Sequence, residues 1–149
     1  MHISVQQEDF DVDALCRTLI GSRKDIGAVV TFTGRVRDRS EAQNLLALEL
    51  EHYPAMTGKA LAGIADQARA RWDIDDLAIV HRVGRLAVGD NIVTVVVISA
   101  HRRDAFEACE FLMDYLKTRA PFWKKEITTD GEAWVEARAS DDAAAERWE

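Results

Sequence analysis

The spacing of apolar and polar residues changes several times along the chain, and each change marks an element. After Asp11-Val12-Asp13, the residues Val12, Leu15, Cys16, Leu19 and Ile20 recur at helical intervals, and Gly21 suits the stop. Residues 27–33 (GAVVTFT) are short and β-rich and predict a strand ending at Gly34. A polar loop follows, Arg35-Val36-Arg37-Asp38-Arg39-Ser40-Glu41. Leu46, Leu48 and Leu50 then alternate with Ala47, Glu49 and Glu51, the period of a half-buried strand.

Past Tyr53-Pro54, the residues Ala60, Leu61, Ile64, Ala65, Ala68 and Trp72 form the apolar stripe of a second helix. Residues 77–83 predict the next strand, Val88-Gly89-Asp90-Asn91 a turn, and 92–100 a strand apolar on both faces, as in a sheet interior. Asp104 can cap a third helix whose inner stripe is Ala105, Cys109, Leu112 and Leu116. Pro121 ends it, because the residue before a proline resists the helical conformation. Residues 122–127 and 132–137 read as strands flanking the Asp130-Gly131 turn, and Ser140-Asp141-Asp142 opens a short Ala-rich helix. Strands that are sometimes adjacent and sometimes separated by helices predict an α+β fold, with helices packed on a mainly antiparallel sheet. The 149 residues, 48% of them hydrophobic and without repeat or linker, suit a single domain spanning 1–149.

A formal net charge of −7 makes the chain a poor general binder of nucleic acid or of an anionic membrane, so an anion site must be a local cationic cluster. Residues 1–10 lack the basic start and apolar run of a signal peptide. The longest apolar stretch, 92–98, is far too short to span a bilayer. The expectation is a soluble cytoplasmic protein. Cys16 and Cys109 form no CxxC pair and sit on apolar helical faces, where thiols are usually inert core filling.

There is no Walker loop, GxGxxG, HExxH or GxSxG, and no metal-ligand spacing, so neither cofactor nor metal is expected. With no evident nucleophile, any sulfur chemistry needs sulfur from elsewhere. The cations, by contrast, gather at the ends of core elements, where loops build sites. Arg35, Arg37 and Arg39 follow one strand, and His101, Arg102 and Arg103 follow another. Lys117 and Arg119 close the third helix, and Lys124 and Lys125 begin the next strand. Each cluster also has a plainer reading: loop arginines are commonly solvated, and Lys117 and Arg119 complement a helix dipole. Lys124 and Lys125, adjacent in a strand, point to opposite faces, so at most one points inward. The residues alone support an anion site in which Arg and His bind phosphate and Lys moves protons or stabilises charge.

The wording of five segments goes further. Phe32-Thr33-Gly34-Arg35-Val36-Arg37, Leu50-Glu51-His52-Tyr53-Pro54, His81-Arg82-Val83-Gly84, Ser99-Ala100-His101-Arg102 and residues 116–125 (LKTRAPFWKK) resemble, in order and spacing, the molybdopterin synthase catalytic (large) subunit family. The resemblance runs from about residue 27 to 138, and its last two segments are the specific ones. The loop from Asp38 to Asn44 departs from it in lacking a glycine. The resemblance implies an α/β-hammerhead-like fold and an enzyme that transfers sulfur to cyclic pyranopterin monophosphate, forming the dithiolene of molybdopterin. The sulfur arrives as a thiocarboxylate at the Gly-Gly end of a small ubiquitin-like subunit, and the assembly is a homodimer with one small subunit at each end, a heterotetramer. By motif, Lys117 and Lys124 are its catalytic lysines, and Arg37, His101 and Arg102 hold phosphate and pterin. Arg35, Lys125 and Arg138 are further substrate-binding candidates.

A third helix running from about 104 to 117 at ~1.5 Å per residue separates His101 from Lys117 by roughly 20 Å. A dimer reconciles them if His101 and Arg102 of one subunit complete the lysine pocket of the other. Two rival readings are a non-enzymatic adapter that grips a ubiquitin-like tail and an RNA- or nucleotide-binding module. The acidic net charge and the lack of aromatic stacking motifs oppose the second.

Overall fold

The computed structural model describes residues 1–38, 44–135 and 138–149. The described elements are, in order, β1 (His2–Gln6), α1 (Val12–Ile20), β2 (Ala28–Arg35), β3 (Leu45–His52), α2 (Pro54–Arg71), β4 (Asp76–Arg82), β5 (Gly84–Ala87), β6 (Asn91–Ser99), α3 (Arg102–Arg119), β7 (Phe122–Thr128), β8 (Gly131–Trp134) and α4 (Ala139–Glu146). The fold is α+β, as the alternation of periods predicts. Its strands form two four-stranded sheets rather than one, ordered β1-β4-β6-β2 and β5-β3-β7-β8. All pairings are antiparallel except β1 with β4.

The first sheet is covered on both faces, which explains the unbroken apolar run of β6. Val93, Val95 and Val97 face a core shared with Leu61, Ile64, Ala65 and Ala68 of α2 and with Ala105, Phe111 and Leu112 of α3. Val96 and Ile98 face the other way, against Val12, Leu15, Cys16 and Leu19 of α1. The second sheet has a smaller core of Val36, Leu45, Leu50 and Leu86. Complete burial of a side chain such as Phe111 stabilises the fold by roughly 1.5–3 kcal/mol.

Several local readings are corrected. The expectations above place no element at residues 2–6, yet HISVQ, which alternates polar and apolar residues with Ile3 and Val5 packed on the core, forms β1, paired in parallel with β4 from His2↔Ala78 to Gln6↔Arg82. Leu46 is 49% exposed because the β3–β7 register shifts between Leu45 and Ala47, turning Leu45 and Ala47 into the core instead. Asp104 does not cap α3. His101 is the N-cap residue, held by its backbone N–H donating to Ser99 Oγ at 3.2 Å, and Asp104 lies in the first turn, where a carboxylate suits the helix dipole. Likewise α4 starts at Ala139 with Arg138 at its N-cap, so Asp141 and Asp142 lie in its first turn.

Of the loop from Asp38 to Asn44, which lacks the glycine that the resemblance implies, positions 39–43 lie outside the described residues, as do 136 and 137 of the last expected strand. At the loop's end Asn44 has φ 65°, a left-handed conformation that asparagine tolerates better than most side chains.

The C-terminus closes over the helices. Trp148 packs edge-on to Trp72 and Phe111, with centroids 5.4 and 5.8 Å away. Its Nε1–H donates to Asp114 Oδ2 at 2.7 Å, and the Arg71 guanidinium donates to its carbonyl at 2.6 Å. These contacts anchor α4, whose other end carries Arg138. No helix among the described residues is long and apolar enough to cross a membrane.

Candidate active site

The antiparallel register divides the candidate residues between two ends of the first sheet. Ala28 of β2 lies opposite Ser99 of β6, and Arg35 lies opposite Asn91, with a bulge between Gly34 and Arg35. His101 and Arg102 follow the last residues of β6, and Arg35 and Arg37 lie beyond its start. The intervening strand is about 26 Å long. Helix α3 returns from the His101 end along β6 and β2. About 24 Å of helix axis separates His101 from Lys117.

At the far end of α3 the chain turns at Pro121 into β7. Phe122, Lys124 and Glu126 share one face of that strand, and Lys125 takes the other. Lys124 is half-buried. Burial lowers its pKa, and the nearby charges of Lys117 and Arg138 lower it further against the weaker opposing pull of Asp141 and Glu126. Lys117, Lys124 and Arg138 are thus gathered from α3, β7 and the start of α4. Glu126 adds a buried Oε2 that has no hydrogen-bond partner among the described residues.

Lys125 has a different environment. Its ammonium lies 3.3 Å from both Glu49 and Glu132 and 5.1 Å from the Trp134 ring centroid, and its pKa is raised by those two carboxylates, Glu132 first. Arg35 donates to the Gly89 carbonyl at 2.6 Å. Arg37 is exposed two residues on, across the buried Val36. His101 and Arg102 are exposed at the opposite end of α3.

Two histidines that were not singled out for chemistry complete the lysine face. His81 of β4 is 8% exposed and lies face to face with Phe122, centroids 3.8 Å apart and planes 10° from parallel. Burial, with the positive charges of Lys117, His52 and Lys124 around it, pushes its pKa down to about 4 despite a hydrogen bond to the Arg82 carbonyl. His52 of β3, in register with Phe122, approaches the same ring at 6.3 Å. The available signal was a histidine directly after the apolar run 77–80 of β4, with both histidines lying in segments that carry the resemblance.

Neither cysteine is an activated thiol: burial raises Cys16 and pushes Cys109 up to about 11. Among the described residues no group of three or more His, Cys, Asp or Glu is placed to hold a metal ion.

The described residues thus form a two-sheet α+β domain that gathers Lys117, Lys124 and Arg138 beside the buried His81, with neither cysteine activated. Comparison with known proteins makes the class specific. Residues 5–119 match the model of the family described as MoaE protein, and the chain belongs to that family. It is 53% identical over 147 residues to the molybdopterin synthase catalytic subunit of Vibrio cholerae, covering 99% of this chain and 97% of that one. Its identity to the Escherichia coli protein of the same name is 58% over 129 residues, covering 87% and 86%. Among solved structures, the molybdopterin biosynthesis MoaE protein from Burkholderia ambifaria superposes with a TM-score of 0.83 at 55% identity, covering 99% of this chain and 97% of that one. Molybdopterin synthase from Staphylococcus aureus gives 0.82 at 36% identity, covering 89% and 95%.

Proposed function

We propose that this chain, 1–149 as one domain, is the catalytic subunit of a molybdopterin synthase. It transfers sulfur from the C-terminal thiocarboxylate of a small ubiquitin-like carrier to cyclic pyranopterin monophosphate, producing the molybdopterin dithiolene. The observation that carries the reading is the gathering of Lys117, Lys124 and Arg138, with Lys124 depressed by burial and by its cationic neighbours. A lysine so placed holds and releases a proton near neutral pH more readily than a solvated one.

In this reading the carrier's Gly-Gly tail enters toward Lys117 and Lys124. One lysine steadies the acyl-thio centre while the other moves protons as sulfur attacks the pterin side chain. Arg35, Arg37 and Arg138 hold the anionic substrate by charge-assisted hydrogen bonds. His101 and Arg102 reach the pocket from the second chain of a homodimer, because α3 holds them at its opposite end. Lys125 contributes to binding only by leaving its pairing with Glu49 and Glu132. The working assembly is a cytoplasmic heterotetramer of two large and two small subunits.

The test is turnover by the purified chain with thiocarboxylated carrier and cyclic pyranopterin monophosphate, read as dithiolene product. Lys117→Ala is expected to abolish it while carrier binding persists. Unchanged product in that variant removes Lys117 from the chemistry. Carrier binding without any product from the wild type leaves a tail-gripping adapter.

A further inference from the structure

Glu126 is a carboxylate whose neighbours supply no donor. It lies on the Lys124 face of β7, two residues or about 7 Å further along the strand. Its cross-strand neighbours are Leu48 of β3 and Ala133 of β8, which carry no polar side-chain atom. The hydroxyl of Thr128, next on that face, is engaged elsewhere: it donates to the Gly131 carbonyl and accepts from the Asp130 N–H, each at 3.2 Å. Glu126 Oε2 is therefore buried without a hydrogen bond among the described residues. Glu49 and Glu132, by contrast, both pair with Lys125 on the opposite face. A buried oxygen in this state weakens the fold unless a ligand brings the missing donor.

The same segment lines a recess of about 190 Å³ between β7 and β8, walled by Glu126, Thr128, Gly131 and Ala133, with Asp130 and Glu132 at its rim. Glu126 lies opposite Ala133 and Thr128 opposite Gly131, so these four share the strand face of Lys124. The small residues 131 and 133 keep the recess open; a Cβ at Gly131 would meet no atom within 4 Å. The recess adjoins the cationic group, for the negative charge of Glu126 acts on Lys124.

We propose that this recess receives the pyrimidine edge of the pterin, with the Glu126 carboxylate accepting from the ring N3–H and the adjacent 2-amino group, while the phosphate lies toward Lys117, Lys124 and Arg138. The inference rests on the sulfur-transfer reading above and deepens it by naming what selects the heterocycle. The substrate has two unlike ends. Cations bind the phosphate of many molecules, whereas two N–H donors side by side on a flat edge match the two oxygens of one carboxylate. The terminal torsion of a glutamate is broad, so a small rotation presents both oxygens to the entering ring. A site built around such hydrogen bonds rejects a phosphate compound that lacks them.

The experiment measures equilibrium binding to the full chain in complex with a carrier lacking the thiocarboxylate, so that no turnover occurs. The probes are cyclic pyranopterin monophosphate and inorganic phosphate. Glu126→Gln keeps the shape and turns one acceptor into a donor. It is expected to weaken binding of the pterin phosphate roughly tenfold or more and to leave inorganic phosphate unchanged. Ala133→Leu fills the recess from the other strand without altering the carboxylate, and the same pattern is expected; it also serves if Glu126→Gln fails to fold. With thiocarboxylated carrier, both variants are expected to raise KM for the pterin phosphate and to leave kcat unchanged. Equal weakening of both probes, or a lower kcat at unchanged KM, overturns the proposal, because either result assigns Glu126 to the charge balance around Lys124. Unchanged binding in both variants overturns it as well. A wild type that binds the pterin phosphate yet makes no dithiolene sinks the sulfur-transfer reading alone, and one that binds none of it sinks both.

Discussion

The imidazole of His81 lies flat on the ring of Phe122, 3.8 Å from centroid to centroid, and joins β4 of one sheet to β7 of the other. Stability is therefore coupled to the protonation of this ring. Its folded-state pKa, about 4, lies below the ordinary 6.5. Between those values the unfolded chain takes up a proton that the folded chain refuses, so acid favours unfolding. The contribution is complete above about pH 6.5 and is lost as pH falls through 4, roughly 3 kcal/mol in all. Urea denaturation from pH 7.5 to 4 is expected to show a steeper loss for the wild type than for His81→Phe; parallel curves contradict the burial of a neutral ring.

Lys124 and Lys125 are chemically identical neighbours with opposite environments. Lys124 is depressed chiefly by burial, and Lys125 is raised by Glu132 and Glu49. Competitive labelling with an amine-specific reagent, read by mass spectrometry across pH 7 to 11, is expected to place the half-reaction of Lys124 below that of Lys125. Glu132→Gln moves Lys125 down and leaves Lys124 in place. The reverse order shows that the strand faces are misassigned.

Trp148 holds the last helix to α2 and α3 through two aromatic edges and a hydrogen bond to Asp114. Trp148→Ala is expected to cost about 3 kcal/mol in chemical denaturation. It is also expected to speed hydrogen exchange across α4. Because α4 begins next to Arg138, turnover falls as well. A stable variant with unchanged exchange dismisses the anchor.

The separation of His101 and Arg102 from Lys117 along α3 makes mixing experiments decisive. Lys117→Ala and Arg102→Ala chains, each inactive alone, form mixed dimers with one intact pocket if the pocket is shared. Recovery of up to half the wild-type rate per mixed dimer is expected. No recovery in verified mixed dimers confines each site to one chain.

Much of this was legible in the sequence because it depends on local periodicity. The α1, α2 and α3 stripes and the two-sided apolarity of β6 follow directly from side-chain spacing. The opposite facing of Lys124 and Lys125 follows from strand geometry alone. Long-range facts were not legible. The parallel pairing of β1 with β4 joins segments distant in the chain, although the alternation of HISVQ itself was there to be read, and the bulge that turns Leu46 outward belongs to the pairing of β3 with β7. His81 stands in the sequence as one residue of a segment that carries the family resemblance, and its stacking on Phe122 was not legible there because that partner lies 41 positions later and in another sheet.

The alternation along β7 also limits which changes of chain length this protein tolerates. A single residue inserted or deleted between Pro121 and Lys124 preserves the composition of the segment, yet it exchanges the two faces of the strand. A deletion would bring Lys125 into the cationic pocket, and an insertion would bring Lys124 to the place beside Glu49 and Glu132. Sequence drift by substitution is graded here, whereas drift by length is all-or-none. The spacing of this segment is as strict a requirement as the identity of its lysines.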